Sequence, residues 1–566
     1  MSDKIKVTVV TEYNGKLNNS VNGQTKDFNG PSVIVTHDSS VTLMSTLLKN
    51  GLISGSFCGG RGDCGRCKIQ YIKGVTIPTP LERSVMEPEE LRQGYRLACL
   101  SRPKDDCVIR LALVEDEQVA IVSEMIDLSG NNDRMSQEKE CSENRKAYDI
   151  ESEKMQTDDV ESDRTNQKCY VIAVDLGTTT IAMQLCDLMT GAVVDTYCEM
   201  NPQRSYGTDV LSRIQASCEG HKETLRKMVW DVLERGMVKF AEYKEETLSD
   251  TDDKVTGVME KVCKIVCMCI AGNTTMEHLL LGYDVSSLGF SPFTPVEIGL
   301  QEIRYPAWDM PVYIAPGIST FVGGDIVTGL YVLNMLGGCR AGLPEESSDG
   351  LSEESGRSEN VRLFIDLGTN GEMAITDGRR MIVTATAAGP AFEGGAGAQV
   401  IGTDMIAVTA SLLERGILDE TGLLADPYFE TGVTIPWKQV SLSIENKDIR
   451  NLQLAKAAVR AGVEILWETL GTPVVDQVYL AGGFGYYLDV EAAFQIGLLP
   501  ESLRGKVQAV GNTSLAGACK LARDLYRKCT DPKALEERLS SIESMNLAKQ
   551  EGFESLYLRY MNLCPN

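Results

Sequence analysis

The chain has 566 residues and a formal charge of −25, with 43% hydrophobic and 24% charged side chains, 17 cysteines and three histidines. That length exceeds one hydrophobic core and argues for three to four domains of roughly 150 residues. The acidic balance repels phosphate backbones and anionic lipid, which excludes nucleic acid and membrane surfaces as favoured partners.

Residues 1–10 lack the apolar core of a signal peptide, and no apolar run reaches about 18 residues, so a cytoplasmic protein without membrane spans is expected. An odd number of cysteines in such a chain points to reduced thiols rather than a disulfide framework. His37, His221 and His278 stand far apart, which disfavours a histidine-rich metal site.

Residues 4–11 and 32–36 alternate β-branched side chains and predict strands. Residues 40–50 predict a short helix with Ser40 as its N-cap. A glycine-rich cysteine loop follows, then the strand CKIQYI and a strand at 107–113. Together they predict a small β-grasp-like domain over 1–115. Residues 128–168 are polar, charged and poor in large apolar side chains, so 116–168 is read as a flexible linker. A similar stretch at 340–360 reads as a surface insertion.

The rest predicts an α/β fold with an internal echo. Residues 170–199 and 361–386 each read strand, turn, strand, turn, strand, and in each the first strand ends in D-L-G-T. The repeat predicts two similar lobes, about 169–335 and 361–530, followed by C-terminal helices over 531–566.

Cys58, Cys64 and Cys67 form a C-x₅-C-x₂-C run on one loop, and Cys99 stands alone further on. Three thiolates on a glycine-rich loop and one distant thiolate is how a [2Fe–2S] cluster is held. The usual first gap is one residue shorter. Gly59, Gly60, Gly62 and Gly65 let the backbone wrap closely with N–H groups aimed at sulfur. Zinc, the rival occupant, prefers paired C-x₂-C knuckles. Cys107 is a weaker alternative ligand. Cys263, Cys267 and Cys269 lie on an apolar strand and read as core.

Asp175 ends an apolar strand and is followed by Gly177, Thr178, Thr179 and Thr180. A carboxylate beside such a turn can hold Mg²⁺ through water while backbone N–H groups take phosphate oxygens. Asp366, Gly368, Thr369, Asn370 and Gly371 repeat the arrangement, so two turns could clamp a triphosphate. A third apolar strand runs into Gly482, Gly483, Phe484 and Gly485, where bare backbone would let adenosine lie flat. No Walker P-loop is present.

The series D-L-G-T, D-L-G-T, A-G-G-F-G resembles the superfamily of acetate and sugar kinases, heat-shock ATPases and actin. The chain as a whole resembles the reductive activators of corrinoid proteins, through NPQRSYGTDVLSRI (201–214), AGNTTMEHLLLG (271–282), LGFSPFTP (288–295), APGISTFVGGDI (315–326) and AAGPAFEGG (387–395). The resemblance covers roughly 1–113 and 168–530.

It implies a ferredoxin-like [2Fe–2S] domain joined to a two-lobed actin/hexokinase-like ATPase. The cofactors it implies are the cluster, ATP and Mg²⁺, and the activity is ATP-dependent reduction of a corrinoid protein from cobalt(II) to cobalt(I). The partners are that corrinoid protein and a low-potential electron donor, and a homodimer is compatible with it. Glu372, Asp209 and Asp325 are candidates to orient water, Asp325 serving equally well as a helix cap. Asn273 is a candidate cleft residue, and Glu393 a candidate contact for nucleotide or partner. Larger relatives carry a further small domain where this chain has its polar linker.

The rival functions are an activator of another iron–sulfur enzyme, a redox-regulated small-molecule kinase, and a binding protein without turnover. A separate [2Fe–2S] domain argues against the known activators of 2-hydroxyacyl-CoA dehydratases, whose cluster bridges a dimer.

Overall fold

Alternating β-branched residues at the N-terminus form β1 (Lys4–Val10) and β2 (Ser32–Asp38), an antiparallel pair with Val7 opposite Val35. The computed structural model describes residues 4–10, 32–49, 52, 67–111, 168–207, 209–243, 264–304, 307–337, 360–368, 370–387, 402–437, 440–482, 485 and 488–563. Cys58, Cys64, Cys263, Thr369, Glu393, Gly483 and Phe484, the 116–167 stretch and nearly all of the 340–360 insertion lie outside those residues.

The first unit continues with α1 (Leu43–Lys49), β3 (Lys68–Lys73), α2 (Pro80–Val85), α3 (Pro88–Arg92), β4 (Tyr95–Leu97) and β5 (Cys107–Leu111). Its sheet has the order β2-β1-β5-β3-β4, with β5 parallel to β1. Leu43, Met44 and Leu47 of α1 pack with Val7, Val9 and Ile109, the mixed sheet and covering helix expected of a β-grasp. Ser40 is not the cap of α1. Its amide donates to Asp38 Oδ1 (2.9 Å), while Thr42 Oγ1 accepts from Ser45 N (3.3 Å) one step before the helix.

The remainder holds two lobes of one topology. In the first, β6 (Cys169–Leu176), β7 (Thr180–Asp187) and β8 (Val193–Met200) form an antiparallel meander. There follow α4 (Val210–Ala216), α5 (Lys222–Ala241), β9 (Lys264–Gly272), α6 (Thr274–Leu281), β10 (Gln301–Arg304), β11 (Pro311–Ile314) and α7 (Gly324–Val332).

The second lobe has the meander β12 (Arg362–Leu367), β13 (Gly371–Thr376), β14 (Met381–Thr386), then α8 (Gly402–Glu414) and the hairpin β15 (Val433–Trp437) and β16 (Val440–Ile444). After these come α9 (Asn446–Thr469), β17 (Gln477–Ala481), α10 (Val490–Gln495), β18 (Val507–Gly511) and α11 (Thr513–Tyr526). The sheets read β10-β11-β9-β6-β7-β8 and β18-β17-β12-β13-β14, the second being extended beyond β14 by a short C-terminal strand. Each therefore carries its meander followed by two parallel strands in the same order. The C-terminal stretch is not purely helical: between α12 (Pro532–Ser540) and α13 (Phe553–Arg559), β19 (Glu543–Met545) extends the second sheet beside β14.

The central strands are buried on both faces, which explains their unbroken apolar runs. On β6, Val171 and Ala173 face one way and Ile172 and Val174 the other. The inner face, with Cys267 and Cys269, packs on α7 and α11, and those helices also cover Phe364, Ala374 and Val383 of the second sheet. Thus α7 and α11 lie between the sheets. Helices α5 and α6 cover the outer face of the first sheet, and α8 and α9 that of the second. The two central helices touch at glycines: a Cβ on Gly517 would fall 2.0 Å from Thr328 O, and one on Gly329 2.8 Å from Thr513 Oγ1.

Candidate functional site

Two regions gather chemistry-bearing side chains. In the N-terminal unit, β3 pairs with β4 so that Lys68 lies opposite Leu97. This register brings Cys67, just before β3, beside Cys99, just after β4. Ala98 N donates to Cys67 O (2.8 Å) and the two sulfurs are 3.2 Å apart. The bond to Cys99 draws the Cys67 thiol down to about 7 despite partial burial.

Two adjacent sulfurs, one inclined to ionise, are a soft donor pair suited to iron. Cys107 differs: burial, then Asp106, pushes its thiol up to about 11, which leaves it a poor ligand. A support missed in the sequence is Glu82. It is buried, accepts from Leu97 N (2.8 Å) and Thr79 N (2.7 Å), and so anchors the backbone that presents Cys99.

The second region lies between the lobes, where Asp175 and Asp366 stand one residue before the ends of β6 and β12. Asp175 Oδ2 accepts from Asn512 Nδ2 (2.8 Å) and Oδ1 from Ser514 Oγ (2.9 Å). Both donors stand at the start of α11, in the other lobe. Burial raises the Asp175 carboxyl and these two bonds oppose the rise.

Asp366, in the second lobe, lies within electrostatic reach of Asp325 at the start of α7 in the first lobe. Burial, then the Asp325 and Asp175 carboxylates, pushes it up to about 8. Asp325 is raised to about 7 by burial, and Asp175 contributes. The first lobe's aspartate is thus bonded to the second lobe's central helix. Asn512 and Ser514 escaped the sequence reading, although Gly511-Asn512-Thr513-Ser514 opens a small-residue helix after a strand just as Gly323-Gly324-Asp325 does.

Glu372 sits opposite Asp366 across the β12–β13 ladder. Burial, Asp325 and Asp366 lift its carboxyl well above the usual range, while an Asn370 hydrogen bond opposes this. Asp325 is not the N-cap of α7, a place held by Gly323. It lies in the first turn, with Oδ1 accepting from Ile326 N (2.8 Å), where the helix dipole favours negative charge.

Asp209 caps α4, with Oδ1 accepting from Ser212 N and Oδ2 from Ser212 Oγ (both 2.8 Å). Asn273 caps α6 through Met276 N (3.0 Å) and donates to Thr178 Oγ1 (3.0 Å), which ties the first turn to the cleft wall.

The turns themselves are tight. A Cβ on Gly177 would fall 2.7 Å from Thr180 O, and Gly368 N donates to Asn370 O (2.9 Å). Thr180 and Gly371 open β7 and β13. Gly482 directly follows β17 at φ +87°, and a Cβ there would clash with Asp366 Oδ1. This strand end is therefore pressed against the second aspartate. Gly485 packs on Leu480. Among the described residues no group of three His, Cys, Asp or Glu side chains forms a ready metal cage.

Residues 170–337 match the RACo middle region, 360–400 and 397–566 the C-terminal ASKHA domain of RACo, and 27–104 a 2Fe-2S iron-sulfur cluster binding domain. The family's middle region thus coincides with the first ATPase lobe. The chain is 29% identical over 423 residues to the corrinoid activation enzyme RamQ of Eubacterium limosum, covering 64% of this chain and 65% of RamQ. It is 22% identical over 442 residues to the [Co(II) methylated amine-specific corrinoid protein] reductase of Methanosarcina barkeri, covering 69% and 76%. A solved reductive activator for corrinoid, iron-sulfur protein shares the fold, with TM-score 0.55, 23% identity and 98% of each chain covered. Among the described residues no helix is long and apolar enough to cross a membrane.

Proposed function

We propose that this chain, a member of the RACo family by its middle region and ASKHA domain, uses ATP to return a corrinoid protein from cobalt(II) to cobalt(I), the electron entering through its N-terminal domain. The observation that carries this reading is the joining, in one polypeptide, of a cluster-binding domain to a cleft where two lobes converge on Asp175, Asp325, Asp366 and Glu372. The names of RamQ and of the corrinoid protein reductase support the choice of substrate.

In this reading Cys58, Cys64, Cys67 and Cys99 hold the [2Fe–2S] cluster, which supplies one-electron transfer between a low-potential donor and the cobalt substrate. Gly177 to Thr180 and Gly368 to Gly371 receive the triphosphate from two sides, and Gly482 to Gly485 the adenosine. Mg²⁺ held near Asp175 and Asp366 would neutralise charge on the phosphates. The raised carboxyls fit that role, because each is reluctant to ionise until a cation arrives.

Glu372 is the candidate to take a proton from the attacking water, and Asp325 to orient it. Glu393 remains assigned to the nucleotide or the partner. Closing the cleft favours one state of the corrinoid partner only by the difference in affinity for the two. The domain division 1–115, 116–168 and 169–566, a cytoplasmic location and room for a homodimer belong to the same proposal.

The test is anaerobic mixing of the reconstituted protein with a cobalt(II) corrinoid protein, a low-potential reductant and Mg-ATP, followed by the cobalt(I) absorption band. Cobalt(I) should form only with ATP and vanish in Cys67→Ser and Asp366→Asn. ATP hydrolysis with no cobalt(I) from any corrinoid protein tried would refute the choice of substrate.

A further inference from the structure

Besides Asp209, the stretch 201–214 carries two side chains that reach the first phosphate turn. Asn201 Nδ2 donates to Gly177 O (2.8 Å), and Arg213 Nη2 donates to Thr178 O (2.5 Å). The backbone amide of Asn201 donates to Thr179 O (2.9 Å). Three successive carbonyls of the turn are therefore held toward the body of the lobe.

Each peptide unit is planar and trans, so a carbonyl held one way aims the following N–H the other way. The amides of Thr178 and Thr179 consequently point away from Asn201 and Arg213. Among the described residues no backbone group accepts from them. Successive N–H groups aimed together form an anion-binding concavity.

Neither side chain is loose. Asn201 is buried, and its Oδ1 accepts from Gln203 N (3.0 Å) to cap the short turn Pro202–Ser205. Arg213 is fully buried, and also donates to Gly207 O (3.1 Å) and Gln203 Oε1 (3.3 Å). The second lobe has a different device: there Gly368 N bonds within its own turn to Asn370 O.

We propose that Asn201 and Arg213 are positioning residues that hold the Gly177–Thr179 turn with its amides aimed at the nucleotide phosphates. This rests on the nucleotide-binding reading of the cleft.

The experiment is calorimetric titration of the full chain with Mg-ATP, Mg-ADP and adenosine. Asn201→Ser keeps an acceptor to cap Pro202–Ser205 but is too short to reach Gly177 O. Arg213→Lys keeps the charge and loses the fork. Each should weaken Mg-ATP and Mg-ADP binding roughly tenfold and adenosine binding by no more than about twofold. Unchanged ATP and ADP affinities in Asn201→Ser, or an equal loss for adenosine, would overturn the positioning role while leaving the nucleotide reading intact. Failure of the unaltered chain to bind any of the three would sink both. Should Arg213→Lys not fold, Asn201→Ser decides alone.

Discussion

Replacing Gly517 by alanine tests how closely the two central helices are required to meet. The new methyl would lie 2.0 Å from Thr328 O and 2.3 Å from Thr328 C. A relaxed carbon–oxygen contact is about 3.3 Å or more, so the helices must part by about 1 Å. Thr328 O is backbone inside α7 and cannot rotate away. Overpacking of this kind costs ~1–3 kcal/mol, while alanine in a helix regains up to ~1 kcal/mol over glycine. The expected net loss of about 1–2 kcal/mol should lower Tm by roughly 2–8 °C in calorimetry. Because the start of α11 carries Asn512 and Ser514, the shift also loosens their hold on Asp175, and ATP turnover should fall roughly ten- to hundredfold. Gly462→Ala in α9 is the control. Its methyl meets the flexible tip of Met373, with Cε at 2.5 Å, which can move, so little change is expected. A Gly517→Ala protein as stable and as active as the native chain would refute the close crossing.

Other outcomes follow from the same geometry. Asp325 and Asp366, raised to about 7 and about 8, bind protons more tightly in the folded chain than in the unfolded one. The stability they contribute is full below the unfolded aspartate value of about 4, declines as pH rises and is gone once pH passes the folded values of about 7 and about 8. Nucleotide-free protein should therefore melt at lower temperature at pH 9 than at pH 6, and the pair Asp325→Asn with Asp366→Asn should flatten that fall; an undiminished slope in the pair would remove these groups as its source. Asn512→Ala should destabilise by about 1 kcal/mol through loss of the α11 cap, and should also slow ATP hydrolysis, read in a coupled phosphate assay. Cys99→Ser should abolish the visible absorption of the reconstituted cluster, whereas Cys107→Ser should keep it.

The two meanders were legible in the sequence because a hairpin is local: apolar strand, glycine turn and second strand lie within about 20 residues. The thiol pair of Cys67 and Cys99 was legible as composition, although its register needed the β3–β4 ladder. The cross-lobe hold on Asp175 was not. Asn512 and Ser514 lie 337 and 339 positions away, and no local pattern reports such a distance. Arg213 was invisible for another reason, since arginine ordinarily stays at the surface and a fully buried one has no periodic signature. Asp209 and Thr42 show the reverse. Both obey ordinary capping rules, which a reading aimed at chemistry passes over.

The core shared by α7 and α11 has a consequence for how the polypeptide could be divided. Neither lobe closes its own interior: the first sheet rests on a helix that the chain makes only after residue 512, and the second rests on one completed before residue 333. Fragments cut within the 340–360 insertion would each expose an apolar face complementary to the other's. They should behave as halves of a split enzyme, inert apart and regaining ATP turnover when mixed. The same dependence implies that the first lobe cannot finish folding as it leaves the ribosome, but must wait for α11.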